Sequence, residues 1–486
     1  MSTRTHEGLF DLALERELLD EMTSSAISQA HDDTSMWAEL RDRVRRTDMT
    51  EPARAEKELD GAAMAIRSLL LRRGHEMELS HLRSADLRAE RRLPESGSLT
   101  QAYERSAGSS QLESRLGSCD SEDGWTHRCA AFSSGMAALA QTLMTARYAS
   151  GVPGGDAVIA TWSSYFETDA LLALQHGERG FVRLQDIASI AAELGGRRPD
   201  ILLVEPVRYN WELDVTEPSA LVAALRDPRT SPTVLVIDKT LSPTWPTRAL
   251  MRALSAGGGP QVVFEVRSGL KLDQQGLEIA NLGVVDVFVR GGGGGGGGGE
   301  ANADRVTDML LLSRTTTGTG LSRAALVSLD APFLLDRSWR ERHSGAVLMQ
   351  NAWFANMAAD LEGGIIQEVV HPSLRGEPGG HAPFVVMKLA TDDLGDHGLL
   401  LAAMRELLGE KDAAVAHGSS FGFRGTRYET IIPRAADAVG LFKVAVGSRS
   451  GPSLGALVDV MRHLSAFPSF AAMRRAMPSL KEVVLT

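Results

Sequence analysis

The stretch from Val234 to Lys271 begins Val-Leu-Val-Ile-Asp-Lys-Thr-Leu-Ser-Pro and ends Val-Val-Phe-Glu-Val-Arg-Ser-Gly-Leu-Lys. Each half starts with a short apolar run rich in β-branched residues, which is typical of a strand buried on both faces. The first run ends on an acid, Asp238, and the second is followed by Ser268 and Lys271. This order predicts two strands of a parallel sheet whose carboxyl edge carries polar side chains.

Two more apolar runs lie upstream, at residues 157–160 and 201–204, and polar residues follow them as well. Helical stretches separate the runs, so the pattern predicts an α/β fold with a mostly parallel sheet. Ligands of such sheets bind outside the carboxyl ends of the strands. One site is therefore expected to gather the polar residues that follow the four runs: Tyr165, Asn210, Asp238, Ser268 and Lys271.

The length of 486 residues predicts more than one structural unit. Residues 1–95 are charged and helical in pattern, and we interpret them as an extension without chemistry of its own. Residues 96–340 hold the alternation of strands and helices and predict a large domain, and residues 341–486 predict a smaller C-terminal α/β domain. The nine glycines from Gly291 to Gly299 lack the spacing and the lysine of a phosphate loop, and they indicate a flexible surface loop.

The composition excludes several classes of protein. A net charge of -11 argues against a nucleic-acid-binding surface. No apolar run approaches the roughly 18 residues that a transmembrane helix needs, and the first 22 residues lack the apolar core of an export signal. The two cysteines, Cys119 and Cys129, form neither a disulfide framework nor a zinc pattern. The sequence therefore predicts a cytoplasmic protein that binds neither metal, nucleic acid nor membrane.

The residues at the strand ends suit one particular ligand. A lysine on a buried loop loses its proton readily and can attack a carbonyl, and an acid such as Asp238 can keep a pyridine nitrogen protonated. Tyr165 can stack on a ring. Ser133-Ser134-Gly135-Met136 opens a helix, whose free N–H groups can bind a phosphate. A ring, a phosphate, a carbonyl and an acid partner together describe pyridoxal 5'-phosphate (PLP).

At these residues the chain resembles the cystathionine γ-synthase and methionine γ-lyase family, the Cys/Met-metabolism branch of fold-type-I PLP enzymes. The resemblance covers residues 103 to 447, about three quarters of the chain. The segments that carry it follow the family's order: Tyr103-Glu-Arg105, Phe132-Ser-Ser-Gly-Met-Ala137, Tyr165, Glu205 with Asn210, Asp238-Lys-Thr-Leu-Ser-Pro243, Ser268-Gly-Leu-Lys271, Gly379-Gly380 and Ser420-Phe-Gly422.

The resemblance implies an aspartate-aminotransferase-like fold: a large domain with a mostly parallel sheet, a small C-terminal α/β domain and, in this chain, an N-terminal helical extension. It also implies a role for each matched residue. Lys271 would hold PLP as a Schiff base, Asp238 would contact the pyridine nitrogen, and Tyr165 would stack on the ring. The remaining cofactor contacts would be Ser134, Gly135, Met136 and Ser268 on the phosphate, Glu205 with Asn210 after a strand, Asn210 lying near the phenolic oxygen, and Tyr103 and Arg105 on the phosphate of a neighbouring subunit.

The departures from the family lie on the substrate side. Lys443, in Phe442-Lys-Val-Ala-Val-Gly447, stands where the family has the arginine that binds the substrate carboxylate. Arg424 and Arg427 follow Ser420 and are expected to share or take over that contact, because a guanidinium binds a carboxylate with two parallel hydrogen bonds. Leu270 replaces a hydroxyl residue, and Lys239 replaces an asparagine. The usual substrates of the family are therefore in doubt.

The function implied is γ-replacement or γ-elimination on an amino acid through a vinylglycine-type ketimine. The altered pocket suggests an unusual donor, such as a sulfonium amino acid, and carbon–carbon bond formation in specialised metabolism. A PLP-dependent β-lyase or aminotransferase is the first alternative, and a non-catalytic scaffold of the same fold is the second. Because Tyr103 and Arg105 would reach a neighbour, a homodimer or homotetramer is expected.

Each candidate residue also has a purely structural interpretation. Asp238 could cap a helix, Tyr165 could be a core aromatic and Asn210 could be a turn residue, since it lies one position off the family's spacing. Glu205 could be a structural acid paired with an arginine. The charged residues could be solvated at the surface: Tyr103 with Arg105 as an exposed arm, and Arg424, Arg427 and Lys443 as surface charges.

Overall fold

The computed structural model of the chain describes residues 12–29, 34–80, 83–84, 92–97, 99, 103–117, 122, 124–152, 156–255, 258–291, 298–376, 380–431 and 441–485. Residues 292–297, which make up most of the glycine run, lie outside the described residues. Cys119 and Gly379 lie outside them too, so the expectations for these positions stay predictions.

The four apolar runs of the sequence form neighbouring strands of one seven-stranded sheet. Its order is β1-β7-β6-β5-β4-β2-β3, and β3, β2, β4, β5 and β6 are parallel, whereas β7 and β1 are antiparallel additions at one edge. The sequence did not predict the two strands β7 and β1. The strands are β1 (Trp125–Phe132), β2 (Ile159–Trp162), β3 (Val182–Arg183), β4 (Ile201–Val204), β5 (Val234–Asp238), β6 (Val262–Ser268) and β7 (Gly283–Arg290).

Helices cover both faces of this sheet, which explains the continuous apolar runs of its strands. Val236 and Phe264 pack on one face, with α5 and α11, and Leu235 and Val263 pack on the other, with α8 and α9. Helices α5 and α8 are two of the helical stretches that separate the apolar runs in the sequence. The helices of this region are α4 (Ser110–Leu116), α5 (Gly135–Ser150), α6 (Phe166–His176), α7 (Ile190–Glu193), α8 (Pro218–Arg226), α9 (Thr247–Ser255), α10 (Gly269–Leu272), α11 (Gly298–Thr317), α12 (Arg323–Leu329) and α13 (Pro332–Leu335).

A second, five-stranded sheet follows along the chain, in the order β10-β11-β12-β9-β8. Helix α14 (Arg337–Ala358) leads into it; Asp336 caps this helix by accepting hydrogen bonds from the backbone N–H groups of Ser338 and Trp339. The helix crosses the predicted domain boundary at 340/341, which stays a prediction. The other elements are β8 (Ile366–Val370), β9 (Val385–Leu389), α15 (Leu394–Glu410), β10 (Ala416–His417), β11 (Arg427–Ile431), β12 (Leu441–Ala445), α16 (Pro452–Ser465) and α17 (Phe470–Ala476).

The N-terminal residues form three helices, α1 (Leu12–Gln29), α2 (Thr34–Arg45) and α3 (Pro52–Ser80), which share a buried apolar cluster with residues 277–284 and 321–334. Helix α3 also contacts the region of the small sheet, where Glu56 accepts hydrogen bonds from Ser453 and lies 3.5 Å from Arg449. The extension therefore packs against both sheet regions. None of the helices in the described part of the chain is both long and apolar enough to cross a membrane.

Candidate active site

A cavity of about 560 Å³ lies at the carboxyl edge of the large sheet, facing strands β11 and β12 of the small sheet. Its walls come from the ends of β5 and β6, the start of α5, the loops after β2 and β4, and the loop before β11. Ten of the predicted site residues line this cavity: Ser134, Gly135, Met136, Tyr165, Glu205, Asp238, Ser268, Lys271, Ser420 and Lys443.

Asp238 is the last residue of β5 and is half-buried at the cavity wall. One of its carboxylate oxygens accepts a hydrogen bond from the backbone N–H of Thr240, at 2.9 Å. The loss of water around the carboxylate raises its pKa. A cationic group bound inside the cavity would stabilise the ionised form of such a carboxylate. Thr240 also accepts a hydrogen bond from the N–H of Ser268 at 3.0 Å, which fixes the ends of β5 and β6 to each other.

Lys271 lies in the single turn α10, directly after β6, and its ammonium group donates a hydrogen bond to the hydroxyl of Ser420. Burial is the main cause that lowers the pKa of Lys271, and Lys443 lowers it further. Ser420 has a left-handed backbone with φ 80°, a strained conformation for a residue with a side chain. Beyond it, a Cβ at Gly422 would lie 2.1 Å from the carbonyl oxygen of Lys271, so the two loops touch backbone to backbone.

The start of α5 forms a cradle beside Ser268. Ser134 caps the helix by accepting a hydrogen bond from the N–H of Ala137. A Cβ at Gly135 would lie 2.8 Å from the Cβ of Ser268, so glycine is required for this close approach. Two serine hydroxyls and a helix N-terminus at one end of a cavity favour the binding of a phosphate group.

Glu205 fixes the loops that carry two tyrosines. Its carboxylate accepts hydrogen bonds from the N–H groups of Ser164, Tyr165 and Tyr209, at 3.0, 3.2 and 3.0 Å. The rings of Tyr165 and Tyr209 meet edge to face, with centroids 5.3 Å apart. Glu205 is thus held by backbone donors rather than by an arginine, and it orients the wall of the cavity.

Three predicted residues lie away from the cavity of their own chain. Asn210 is a turn residue: its amide donates to Asp214 at 2.7 Å and its carbonyl oxygen accepts from the N–H of the same residue. Tyr209, four residues after Glu205, lines the cavity instead. Tyr103 is 62% exposed, and the guanidinium of Arg105, itself exposed, lies 5.7 Å from the centre of its ring.

The two arginines predicted to take over the substrate carboxylate do not line the cavity either. Arg424 is buried and pairs with Glu15 of helix α1, with 3.0 Å between Nε and Oε1. Arg427 pairs with Glu278 at 2.6 Å and stacks on the ring of Phe423. Because both guanidinium groups already have a carboxylate partner, this placement does not support the expectation that they bind the substrate.

Several cavity-lining residues were missed by the sequence interpretation: Glu167, Tyr209, Thr240, Asn281, Phe421, Glu429 and Thr430. Thr240 could have been predicted, since it lies in the segment that follows β5. Tyr209 could also have been predicted, because it stands at the family's spacing from Glu205. Glu429 could not be found, because it enters the cavity through antiparallel pairing opposite Lys443.

The pKa of Glu205 gives a first testable consequence. Burial, followed by the nearby Asp238, raises this pKa to about 7. In an unfolded chain it would be about 4.3, so protonation favours the folded state, and this stabilisation is lost as the pH rises to about 7. We expect the free energy of unfolding of the cofactor-free protein to fall between about pH 5 and 8. In Glu205→Gln the fall should be smaller by up to about 3 kcal/mol.

Urea unfolding of both proteins at the two pH values measures this difference. Asp238, whose pKa is also raised, remains in both proteins, so the difference between the two curves reports Glu205 together with its interaction with Asp238. Equal pH dependence in the two proteins would show that Glu205 does not titrate in this range.

No protein-family model and no curated protein sequence matches the chain. Its structure, however, matches 443 chains of solved structures. One of them is the crystal structure of apo CalE6, a methionine gamma lyase from Micromonospora echinospora, with a TM-score of 0.51 and 15% sequence identity over 79% of this chain and 92% of that chain. At this identity the likeness concerns the fold. The predicted fold-type-I architecture, with a large mostly parallel sheet and a second, smaller sheet, is confirmed.

Proposed function

We propose that this protein is a PLP-dependent enzyme that acts on an amino acid, with Lys271 as the residue that binds the cofactor covalently. One observation carries the proposal: a single cavity brings Lys271, Asp238 and the N-terminus of α5 together. The structural neighbour, a methionine gamma lyase, supports the same reaction class.

The residues of the cavity fit the cofactor. The cradle of Ser134, Gly135 and Ser268 would hold the phosphate, and Asp238 would pair with the protonated ring nitrogen. Tyr165 would cover one face of the ring. When bound, PLP supplies an electron sink for the electrons left at the α-carbon of an amino acid after it loses a proton.

Lys271 is suited to move that proton. Its lowered pKa increases the fraction of neutral amine, which is the form that accepts a proton. The Ser420 hydroxyl, which receives its hydrogen bond, positions the amine at the boundary between the two sheets. Phe421, whose ring centre lies 5.5 Å from the Lys271 nitrogen, limits the access of water.

The reaction that we propose is γ-elimination or γ-replacement, in which a γ-substituent leaves and a nucleophile or water completes the reaction. In its most specific form, the donor is a sulfonium amino acid and the acceptor forms a carbon–carbon bond. A β-lyase or an aminotransferase would use the same residues. Incubation with matched γ- and β-substituted amino acids, followed by product analysis, separates these reactions, because only γ-chemistry releases the γ-substituent.

The attachment of the cofactor provides the direct test of the proposal. Protein purified with PLP should absorb at the blue edge of the visible range, and reduction with borohydride should fix the cofactor to the peptide that contains Lys271. A colourless protein, or a label on another lysine, would contradict the proposal and favour a scaffold that kept the fold without the chemistry.

Assembly gives a further prediction. If Arg105 and Tyr103 contact the phosphate in a neighbouring subunit, the protein is a dimer or a tetramer, and Arg105→Ala weakens PLP binding by about 10-fold or more, since a charge-assisted hydrogen bond is lost. Cofactor titration and sedimentation measure both effects. Arg229→Ala is the matched control, because Arg229 is an exposed arginine paired only locally with Asp227. An active monomer with unchanged PLP affinity in Arg105→Ala would refute this prediction.

A further inference from the structure

Each of the three cations expected to bind the substrate carboxylate already pairs with an acid. Arg424 pairs with Glu15, Arg427 with Glu278 and Lys443 with Glu429. Of the three, only Lys443 lines the cavity, and its partner Glu429 lines the same cavity. The cavity wall formed by the small sheet therefore presents an ion pair where the resemblance implies a single cation.

The Lys443–Glu429 pair is built into the sheet. The two residues lie directly opposite each other on the antiparallel strands β12 and β11. The Lys443 side chain is 2% exposed, and its ammonium group lies 5.1 Å from the centre of the Phe384 ring, which confines it. Thr430 follows Glu429, and its hydroxyl is buried without a hydrogen-bond partner among the described residues. This wall of the cavity thus contains a confined ion pair.

The charged residues that line the cavity include more acids than cations. Among the described residues that line the cavity, the acids are Glu167, Glu205, Asp238 and Glu429, and the cations are Lys271 and Lys443. The cofactor would engage Asp238 and Lys271, and three backbone N–H groups already engage the carboxylate of Glu205. The charged groups left for a substrate are then the Lys443–Glu429 pair and Glu167, which accepts a hydrogen bond from the Tyr165 hydroxyl at 2.7 Å. A carboxylate that approaches Lys443 also approaches Glu429, so a substrate with one negative charge and no compensating cation is repelled.

We propose that the substrate is an amino acid that carries a second cationic group on its side chain, and that Glu429 determines this specificity. The inference rests on the function proposed above and narrows it to one class of substrate. The carboxylate of the substrate accepts hydrogen bonds from Lys443, and the negative charges of Glu429 and Glu167 stabilise the side-chain cation. A sulfonium, an ammonium and a guanidinium group share this charge, so the test must compare them.

The experiment compares pairs of amino acids that differ mainly in one positive charge. L-Methionine is paired with S-methyl-L-methionine, and L-norleucine with L-lysine. Isothermal titration calorimetry measures their dissociation constants with the PLP-loaded protein and with Glu429→Gln. We expect the parent protein to bind the cationic member of at least one pair at least 10-fold more tightly. In Glu429→Gln, Lys443 loses its partner charge, so the neutral member gains affinity, the cationic member loses affinity, and the preference falls at least 10-fold.

Glu21→Gln is the matched control, since Glu21 is a partly exposed acid of helix α1 that pairs with Arg342 of helix α14 and does not line the cavity. It removes the same charge from the protein and should leave both preferences unchanged. Preference for the sulfonium pair alone would identify a sulfonium donor, and preference for both pairs would identify any side-chain cation. Equal affinity within both pairs in the parent protein, or an unchanged preference in Glu429→Gln, would overturn the inference.

The cofactor content of each protein, read from its absorbance, separates this outcome from a failure of the proposed function. A protein that holds PLP but shows no preference for cations keeps the proposed function and loses the inference. A protein that binds no PLP loses the proposed function, and the same titrations with the cofactor-free protein then decide whether the wall selects cationic amino acids.

Discussion

Lys271→Ala is expected to lower turnover by at least about 10⁴-fold, the upper range of what one positioned acid–base group contributes. The variant loses the covalent attachment of the cofactor and the amine that moves the proton at the α-carbon. Its fold should persist, because alanine keeps the turn α10 and the backbone contact between Lys271 and Gly422 does not involve the side chain. Steady-state product formation and the mass of the borohydride-reduced protein measure the two losses separately.

Lys443→Ala is the informative control, because Lys443 is a second lysine of the same cavity. It should keep the reducible link to the cofactor and show weaker substrate binding, that is, a raised KM. If Lys271→Ala still yields a reduced cofactor adduct with normal turnover, another lysine holds the cofactor and the assignment of Lys271 is wrong.

Asp238→Asn is expected to leave a folded protein whose kcat is lower by about 10²–10³-fold, the loss typical of one preorganised electrostatic group in an active site. Asparagine keeps the oxygen that accepts the hydrogen bond from the Thr240 N–H, so the end of β5 stays in place. What it removes is the negative charge that would keep the ring nitrogen protonated, and with it the capacity of the ring to accept electrons. Turnover per bound cofactor is the quantity to measure.

Asp227→Asn changes a partly exposed acid that pairs with Arg229, so it controls for the change in net charge. It should leave turnover per bound cofactor unchanged. Thermal unfolding of Asp238→Asn checks that the loss is not a loss of fold. Full activity per bound cofactor in Asp238→Asn would show that this carboxylate is not the partner of the ring nitrogen.

Local patterns of the sequence predicted the part of the molecule that local patterns determine. The runs that became β2, β4, β5 and β6 are continuous and apolar because both faces of the sheet are covered, and each end exposes polar residues at one edge. Asp238, Ser268 and Lys271 therefore converge for a reason that is readable along the chain. The same holds for the start of α5, since Ser134 is a favourable N-cap residue.

The remainder depends on contacts between distant segments, which leave no periodic signal. Arg424 looked available in the sequence because its partner, Glu15, lies 409 residues away. Strands β1 and β7 were missed because β7 pairs antiparallel with both β6 and β1, outside the alternation of parallel strands and helices. Asn210 was chosen for its residue type although it lies one position off the family's spacing, whereas its hydrogen bond with Asp214 assigns it to a turn.

The placement of the N-terminal helices also bears on how the chain is completed during synthesis. Helix α1 is synthesised well before the segments that cover it, and its buried acid Glu15 gains its partner Arg424 only 409 residues later. At about 5–20 residues per second this interval lasts roughly 20–80 s. For the first part of this interval, the apolar faces of α1 to α3 lack residues 277–284 and 321–334, which finally cover them. For the whole of it, Glu15 and Glu56 lack their partners Arg424 and Arg449. The native packing of helix α1 is therefore completed late in synthesis, and chaperones that bind exposed apolar helices have a long interval in which to act.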